Sequence, residues 1–147
     1  MLFRSKSTLN SKASSGIYVG AANLRITGEK GSLTINAYKG KVSIYVKEDL
    51  TIAGGCSVEA KTTIWAENTI SINKASVHVT EQNSPAFLAK NGIKLMDCDV
   101  VFPEDGVSQQ QVENDNYYYY TFVKDGNFCK EVKIGIHLAE AGGNIGR

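Results

Sequence analysis

Aromatic and polar side chains recur at matching places in four short segments of this sequence. In each segment an aromatic or apolar residue lies between two core-type residues, and a polar residue or glycine follows two positions later. Flat aromatic surfaces flanked by hydrogen-bonding groups suit the apolar faces of sugar rings, and Tyr and Trp also dominate protein–protein contacts. The candidate ligand-binding residues are therefore Tyr18, Tyr45, Trp65, Lys47, Glu67 and Lys90.

Three interpretations of this aromatic stripe, which continues to Leu88, stay open at the level of sequence. Another part of the chain covers it, either the tyrosine-rich segment near the C-terminus or a long corner. Otherwise the stripe is an interface with a protein partner or a second copy, or it binds a polysaccharide. A monomer rarely leaves so large an apolar patch uncovered, so cover within the chain is a strong alternative to ligand binding.

Residue patterns for catalysis or metal binding are weak. Asp97 and Asp99 share one strand face, but calcium needs more converging oxygen ligands than two carboxylates. His78 and His137 lie in unlike segments. Polysaccharide lyases and hydrolases need clustered acids or a base in a groove, and no such cluster recurs on the outer faces. We predict no metal, no cofactor and no enzymatic activity.

Composition argues against several kinds of partner and several classes of protein. The 147 residues fit one domain, and 16 basic against 15 acidic residues leave a net charge of +1. This balance argues against a nucleic-acid partner and against electrostatic adsorption to membranes. No apolar run is long enough for a membrane span or a signal peptide. Cys56, Cys98 and Cys129 are expected to be small buried apolar residues.

The elements that must position the stripe are short strands in recurring sets of three. Each strand shows period-two alternation, and the corner from first to second strand is nearly constant in length. First strands are predicted at residues 16–20, 43–47, 63–67 and 86–90. Second strands are predicted at 23–27, 49–53, 69–73 and 92–96, and third strands at 32–36, 56–60, 76–80 and 99–103.

This repeat predicts an all-β, right-handed parallel β-helix (a solenoid) of about four triangular coils. A β-meander, sandwich or barrel is the alternative, but its hairpin dipeptides are mostly missing from the corners. Stacked coils would place equivalent residues in core ladders. The predicted ladders are Ile17/Ile44/Ile64/Phe87, Leu24/Leu50/Ile70/Ile93, Ile26/Ile52/Ile72/Leu95, and Leu33/(Cys56 or Val58)/Val77/Val100.

Three segments are expected along the chain. Residues 1–106 form the coils, and the first coil is partial because Leu2, Leu9 and Ile17 match the spacing of Leu50, Val58 and Ile64. We expect from this that the chain is the C-terminal piece of a longer protein. Residues 107–116 are expected to be a polar linker. Residues 117–147 are expected to hold a capping β-hairpin, with strands 117–123 and 128–136 around Asp125-Gly126, and a tail.

The repeated units SSGIYV, KVSIYV and KTTIWA, and the ending YTFVKDGNFCKEVKI, resemble a known group. They are similar to extracellular right-handed β-helix proteins of gut Bacteroidetes, including those described as carbohydrate-binding-domain-like. The resemblance covers residues 1 to about 136. The acidic corners by which that group binds calcium are not evident. Bactofilin-type filament proteins rank second, because their repeats are shorter and more regular.

The resemblance implies a secreted or cell-surface protein without catalytic activity. We therefore expect a binding or adhesion module that holds polysaccharide, or a protein partner, through the outer aromatic stripe. The alternative is a structural β-helix that associates with copies of itself as an oligomer or filament scaffold.

Overall fold

The protein is a parallel β-solenoid of about four coils, seen in a computed structural model that describes residues 6–37, 41–80 and 82–137. The described part is all-β, and each coil contributes one strand to each of three sheets. The sequence-based prediction of a three-sided solenoid is therefore confirmed. None of the described residues form a helix that could cross a membrane.

The three sheets correspond to the three strands of each coil. Sheet 1 holds the first strands, β2 (Ser15–Val19), β5 (Val42–Val46), β8 (Ile64–Ala66) and β11 (Phe87–Ala89). Sheet 2 holds the second strands, β3 (Leu24–Thr27), β6 (Leu50–Ala53), β9 (Ile70–Asn73) and β12 (Ile93–Met96). Sheet 3 holds β1 (Lys6–Ser11), β4 (Ser32–Ala37), β7 (Ser57–Ala60), β10 (Ser76–Val79) and β13 (Cys98–Phe102).

Parallel pairing between coils places equivalent apolar residues on top of each other. In sheet 1, Ile44 is paired with Ile17 and with Ile64, which in turn is paired with Phe87. Both predicted ladders of sheet 2 have the expected register from β3 to β12. Most of these side chains are fully buried, because alternation sends one residue in two toward the centre of the coil.

The fourth predicted ladder is interrupted. Leu33 pairs with Val58, and Val58 with Val77, so Val58 rather than Cys56 occupies the ladder. A later strand, β17 (Val132–Ile136), then lies between β10 and β13 and is antiparallel to both. Ile134 is therefore inserted between Val77 and Val100. Cys56, Cys98 and Cys129 are buried free thiols, as expected.

The segment after the coils differs from the expected linker and hairpin. Residues expected to be a polar linker form strand β14 (Ser108–Asn114), which pairs along its whole length with β15 (Tyr117–Lys124). The predicted turn at Asp125-Gly126 is present, but its second strand is only β16 (Asn127–Phe128). The chain then leaves the hairpin, because the apolar side chains of β17 fill the core of sheet 3 instead.

The C-terminal strands close one end of the solenoid. β15 pairs antiparallel with β11, and so extends sheet 1 beyond the last coil. At sheet 2, the side-chain amide of Gln109 donates to the carbonyl of Ile93 at 2.5 Å and accepts from its N–H at 2.9 Å. This amide replaces the backbone of a further strand, and so satisfies part of the free edge of β12.

At the other end, β1 pairs with β4 as the third strand of a partial coil. Leu9 is in register with Ile35, which pairs with Ala60. The predicted match of Leu9 to Val58 is therefore wrong by two residues, since the connection from Leu9 to Ile17 is longer than the equivalent connection from Ala60 to Ile64. Leu2 and the predicted tail at 139–147 lie outside the described residues.

Candidate functional site

The predicted aromatic stripe exists as a row of rings on the outer face of sheet 1. Tyr18 and Tyr45 stack with their centroids 5.3 Å apart and their planes 12° from parallel. Trp65 meets Tyr45 edge-on at 5.5 Å. Tyr119, from β15, meets Trp65 from the other side, also edge-on at 5.5 Å. We call these four rings the aromatic ladder.

The C-terminal hairpin covers one half of the aromatic ladder. Tyr119 and Leu88 are each only 2% exposed, and Trp65 is mostly buried. Cover by the tyrosine-rich segment, one of the three interpretations left open by the sequence, thus applies from Trp65 to Leu88. The sequence could not identify Tyr119 among four consecutive tyrosines, because the choice depends on the register of β15.

Glu67 fixes the aromatic ladder in place. The hydroxyl of Tyr45 donates to Oε2 of Glu67 at 2.7 Å, and the hydroxyl of Tyr119 donates to Oε1 at 2.8 Å. One carboxylate thus joins a coil strand to the hairpin across 52 residues of sequence. Hydrogen bonds to an ionised acceptor are stronger than neutral ones. Glu67 is therefore a structural clamp as well as a polar neighbour of the rings.

The clamp changes the acidity of both tyrosines in the same direction. Burial raises the pKa of Tyr45 and of Tyr119, and the hydrogen bond to Glu67 raises it further. The reason is that a phenolate would lose hydration and would also face a carboxylate, which has no hydrogen to donate to it. Both hydroxyls therefore stay protonated donors well into the alkaline range.

The uncovered half of the aromatic ladder begins at Tyr18, which is 68% exposed. Its ring lies across Gly20, where a Cβ would come within 2.8 Å of the ring. Tyr45 covers one ring face of Tyr18. The other face points away from Tyr45, along the solenoid axis, at the end of the solenoid that β1, β2 and β3 form. Lys47 is exposed beside Tyr45. Lys90 is exposed at the far end, with its ammonium 4.7 Å from the ring centroid of Tyr117.

The six predicted site residues thus divide into two groups. They all belong to sheet 1 or to the residue that follows its strands, so the structure brings them onto one face. Trp65, Tyr45 and Glu67 are held in contacts within the chain. Tyr18, Lys47 and Lys90 remain accessible.

A polar ladder at the corner between sheets 1 and 2 was missed by sequence reasoning. Oδ1 of Asp49 accepts from Nδ2 of Asn68 at 2.7 Å, from the Thr69 hydroxyl at 2.6 Å and from the Thr69 N–H at 3.1 Å. Asn23 accepts from the Asp49 N–H, and Asn91 donates to Asn68. The available signal was an Asn or Asp one or two residues before each second-strand anchor.

Asp49 is more acidic than an ordinary aspartate. Hydrogen bonds from Thr69 are the main cause that lowers the pKa of Asp49, and they outweigh its burial. The corner ladder satisfies turn groups that the sheets leave without partners. Its chemistry is therefore structural.

The two histidines hold the inserted strand β17. His78 in β10 contacts Glu131 at 2.8 Å, just before β17, and His137, just after β17, contacts Asp99 in β13. Within residues 6–37, 41–80 and 82–137, no three metal-ligating side chains are placed to hold a metal ion.

The comparisons add no relative from which a role could be carried over. No family model, curated protein or solved structure matches this chain.

Proposed function

We propose that the protein is a non-catalytic binding or adhesion module that holds polysaccharide through the uncovered half of the aromatic ladder. The binding surface is the outer face of sheet 1 around Tyr18, Tyr45 and Lys47. Secretion or display at the cell surface belongs to the same proposal, and rests on the resemblance to extracellular β-helix proteins of gut Bacteroidetes.

The observation that carries the proposal is a solvent-exposed ring stacked on a neighbour that a hydrogen bond holds in place. Tyr18 leaves most of its surface open, yet it stacks on Tyr45, which is fixed by the Glu67 carboxylate. A preorganised ring loses little conformational entropy when it contacts a sugar. Lys47 supplies hydrogen-bond donors to hydroxyl or carboxylate groups of the same ligand.

The test compares two exposed tyrosines. Retention is measured in a panel of gels, each of which contains one neutral or acidic polysaccharide. Tyr18→Ala is expected to lower the retention about tenfold, since a stacking contact is lost. Tyr118→Ala is the matched control, because Tyr118 is 61% exposed on β15 but outside the aromatic ladder. Retention of the control should equal that of the wild type.

Two results would contradict polysaccharide binding at this site. The wild-type chain could fail to be retained by any polysaccharide in the panel. Alternatively, both tyrosine variants could be retained equally well, which would place the ligand elsewhere on the protein.

A second candidate function is that of a structural module that associates with copies of itself. The observation that favours it is the uneven closure of the two ends. One end is covered by β14, β15 and Gln109, whereas β1, β2 and β3 have strand neighbours on one side only within the described residues. Free strand edges are templates for pairing with another chain.

A further inference from the structure

We infer that one end of the C-terminal hairpin is a lid over a latent part of the polysaccharide-binding surface. The lid is the half of the β14–β15 hairpin nearest its turn, residues 111–120, and it covers Trp65 and Leu88 on the outer face of sheet 1. A polysaccharide chain that extends from Tyr18 past Tyr45 displaces the lid and occupies the surface beneath it. This inference rests on the proposed binding function, and specifies how that site is regulated and that it favours long chains.

The hairpin is anchored in the core at the end away from its turn. There Phe122 meets Phe87 edge-on, with the ring centroids 5.7 Å apart, and both rings are buried. Gln109, which is the register partner of Phe122 on β14, holds both backbone groups of Ile93. This end therefore stays in place when the other end moves, and serves as the hinge.

The end that contains the turn has fewer attachments. β14 and β15 pair along their whole length, but β15 pairs with β11 at a single position, Tyr120 with Ala89. Side-chain contacts join this end to the coils at Tyr119–Glu67, Tyr119–Trp65 and Tyr117–Lys90. Because the hydrogen bonds between β14 and β15 lie within the lid, it can lift as a unit while they stay intact. Opening of this kind costs less than global unfolding.

The surface beneath the lid holds two buried polar groups without a hydrogen-bond partner in the described part of the chain. The indole N–H of Trp65 lies near the Tyr119 hydroxyl but lacks the geometry of a hydrogen bond. The hydroxyl of Thr121, which is fully buried, is also unpaired. Leu88 lies between Trp65 and Thr121 on neighbouring strands. Unsatisfied buried groups are costly, so they lower the free energy needed to open the lid.

A polysaccharide supplies the groups that the closed lid does not. Its hydroxyls can accept from the Trp65 N–H and exchange a hydrogen bond with Thr121, and a sugar ring can stack on the indole. The row from Tyr18 to Leu88 crosses four strands of sheet 1 and extends about 14 Å at the usual strand spacing. A disaccharide at Tyr18 leaves the lid closed. A long chain gains the covered contacts, at an affinity reduced by the fraction of molecules that are closed.

The first experiment measures opening of the lid without ligand. Leu88→Cys places a thiol beneath the lid, and its rate of reaction with a thiol reagent is proportional to the open fraction. In this background Tyr119→Phe should raise the rate about tenfold, because it removes the hydrogen bond to the Glu67 carboxylate but keeps the ring. Tyr118→Phe is the matched control on the same strand, since Tyr118 is exposed, and should leave the rate unchanged.

The second experiment closes the lid with a removable bond. Ala89→Cys with Tyr120→Cys places two thiols at the paired position of β11 and β15, within reach of a disulfide. The native cysteines are buried and do not compete. In a neutral glucan or acidic uronan gel that retains the wild type, the oxidised form should be retained about tenfold less than the reduced form. Since Trp65 is the only tryptophan, its fluorescence should change with the polysaccharide in the reduced form only.

The outcomes separate the lid from the function on which it rests. If no polysaccharide retains the wild type, the binding function is overturned and the latent surface with it. Equal labelling of Leu88→Cys in the Tyr119→Phe and Tyr118→Phe backgrounds would overturn the lid alone. Equal retention of the oxidised and reduced forms would do the same, and would confine the ligand to the uncovered half of the aromatic ladder. A disaccharide of the same sugar should bind both forms equally, and weaker binding to the oxidised form would contradict a closed lid that leaves Tyr18 free.

Discussion

Glu67 shows how one side chain can turn a candidate binding surface into a structural contact. Its two oxygens each accept a hydrogen bond from a tyrosine, one on a coil strand and one on the hairpin. The rings of those tyrosines enclose Trp65. The carboxylate thus fixes the position of three aromatic residues, and the ring that stays open is the one it does not fix directly, Tyr18.

At this scale we predict the effect of removing only the charge of the clamp. Glu67→Gln should lower the free energy of unfolding by about 1–2 kcal/mol, because an amide has one accepting oxygen and no charge. Glu59→Gln is the control, since its ion pair with Lys61 is exposed, and should cost less than about 0.5 kcal/mol. Urea denaturation of both variants measures the difference. Equal costs would show that Glu67 is not a clamp.

At the scale of elements, the main departure from a regular solenoid is β17. This strand comes from beyond the last coil, runs antiparallel to its neighbours and occupies a place between β10 and β13. Ion pairs or hydrogen bonds at its two ends, from His78 to Glu131 and from His137 to Asp99, attach it to both neighbours. β17 is therefore part of the core of sheet 3.

The corresponding prediction treats Ile134 as a coil residue. Ile134→Ala should lower the free energy of unfolding by about 2–5 kcal/mol, the same range as for Ile70→Ala, because both side chains are fully buried. Lys133→Ala, on the exposed face of the same strand, should change it by less than about 0.5 kcal/mol. Thermal and urea unfolding test this. A small effect of Ile134→Ala would mean that β17 is only loosely attached.

At the scale of the whole molecule, two sets of titrating groups lower the stability of the fold at opposite ends of the pH range. Asp49 has a lowered pKa in the fold, so its contribution is present above the unfolded value near 4 and is lost as pH falls through the folded one. Tyr45 and Tyr119 have raised pKa values. Their contribution is present below the unfolded value near 10 and decreases as pH rises beyond it.

We therefore expect the free energy of unfolding to decrease below about pH 4 and above about pH 10. Asp49→Asn should reduce the loss of unfolding free energy at acid pH and leave the loss at alkaline pH unchanged. Tyr45→Phe should reduce only the alkaline slope. Chemical denaturation at a series of pH values measures both slopes. An acid limb that is identical in Asp49→Asn would contradict the role given to the corner ladder.

The sequence by itself determined the strands of the coils and the residues that face the core. Alternation decides which of two neighbours, such as Ile64 and Trp65, points inward, and the repeat decides which residues stack, such as Ile44 on Ile64. Both rules act over a few residues or one coil. They also placed the aromatic residues on one outer face, so most of the candidate surface was predictable.

Only the tertiary structure decided what lies on that surface and how the last coil ends. The pairs Trp65–Tyr119 and Val77–Ile134 join segments more than fifty residues apart, and nothing in their local pattern selects one tyrosine or one apolar strand over its neighbours. The choice follows from which side chains fill the space that the coils leave. In sheet 3 that space is filled by β17. On sheet 1 it is filled by Tyr119, whereas Tyr18 stays exposed.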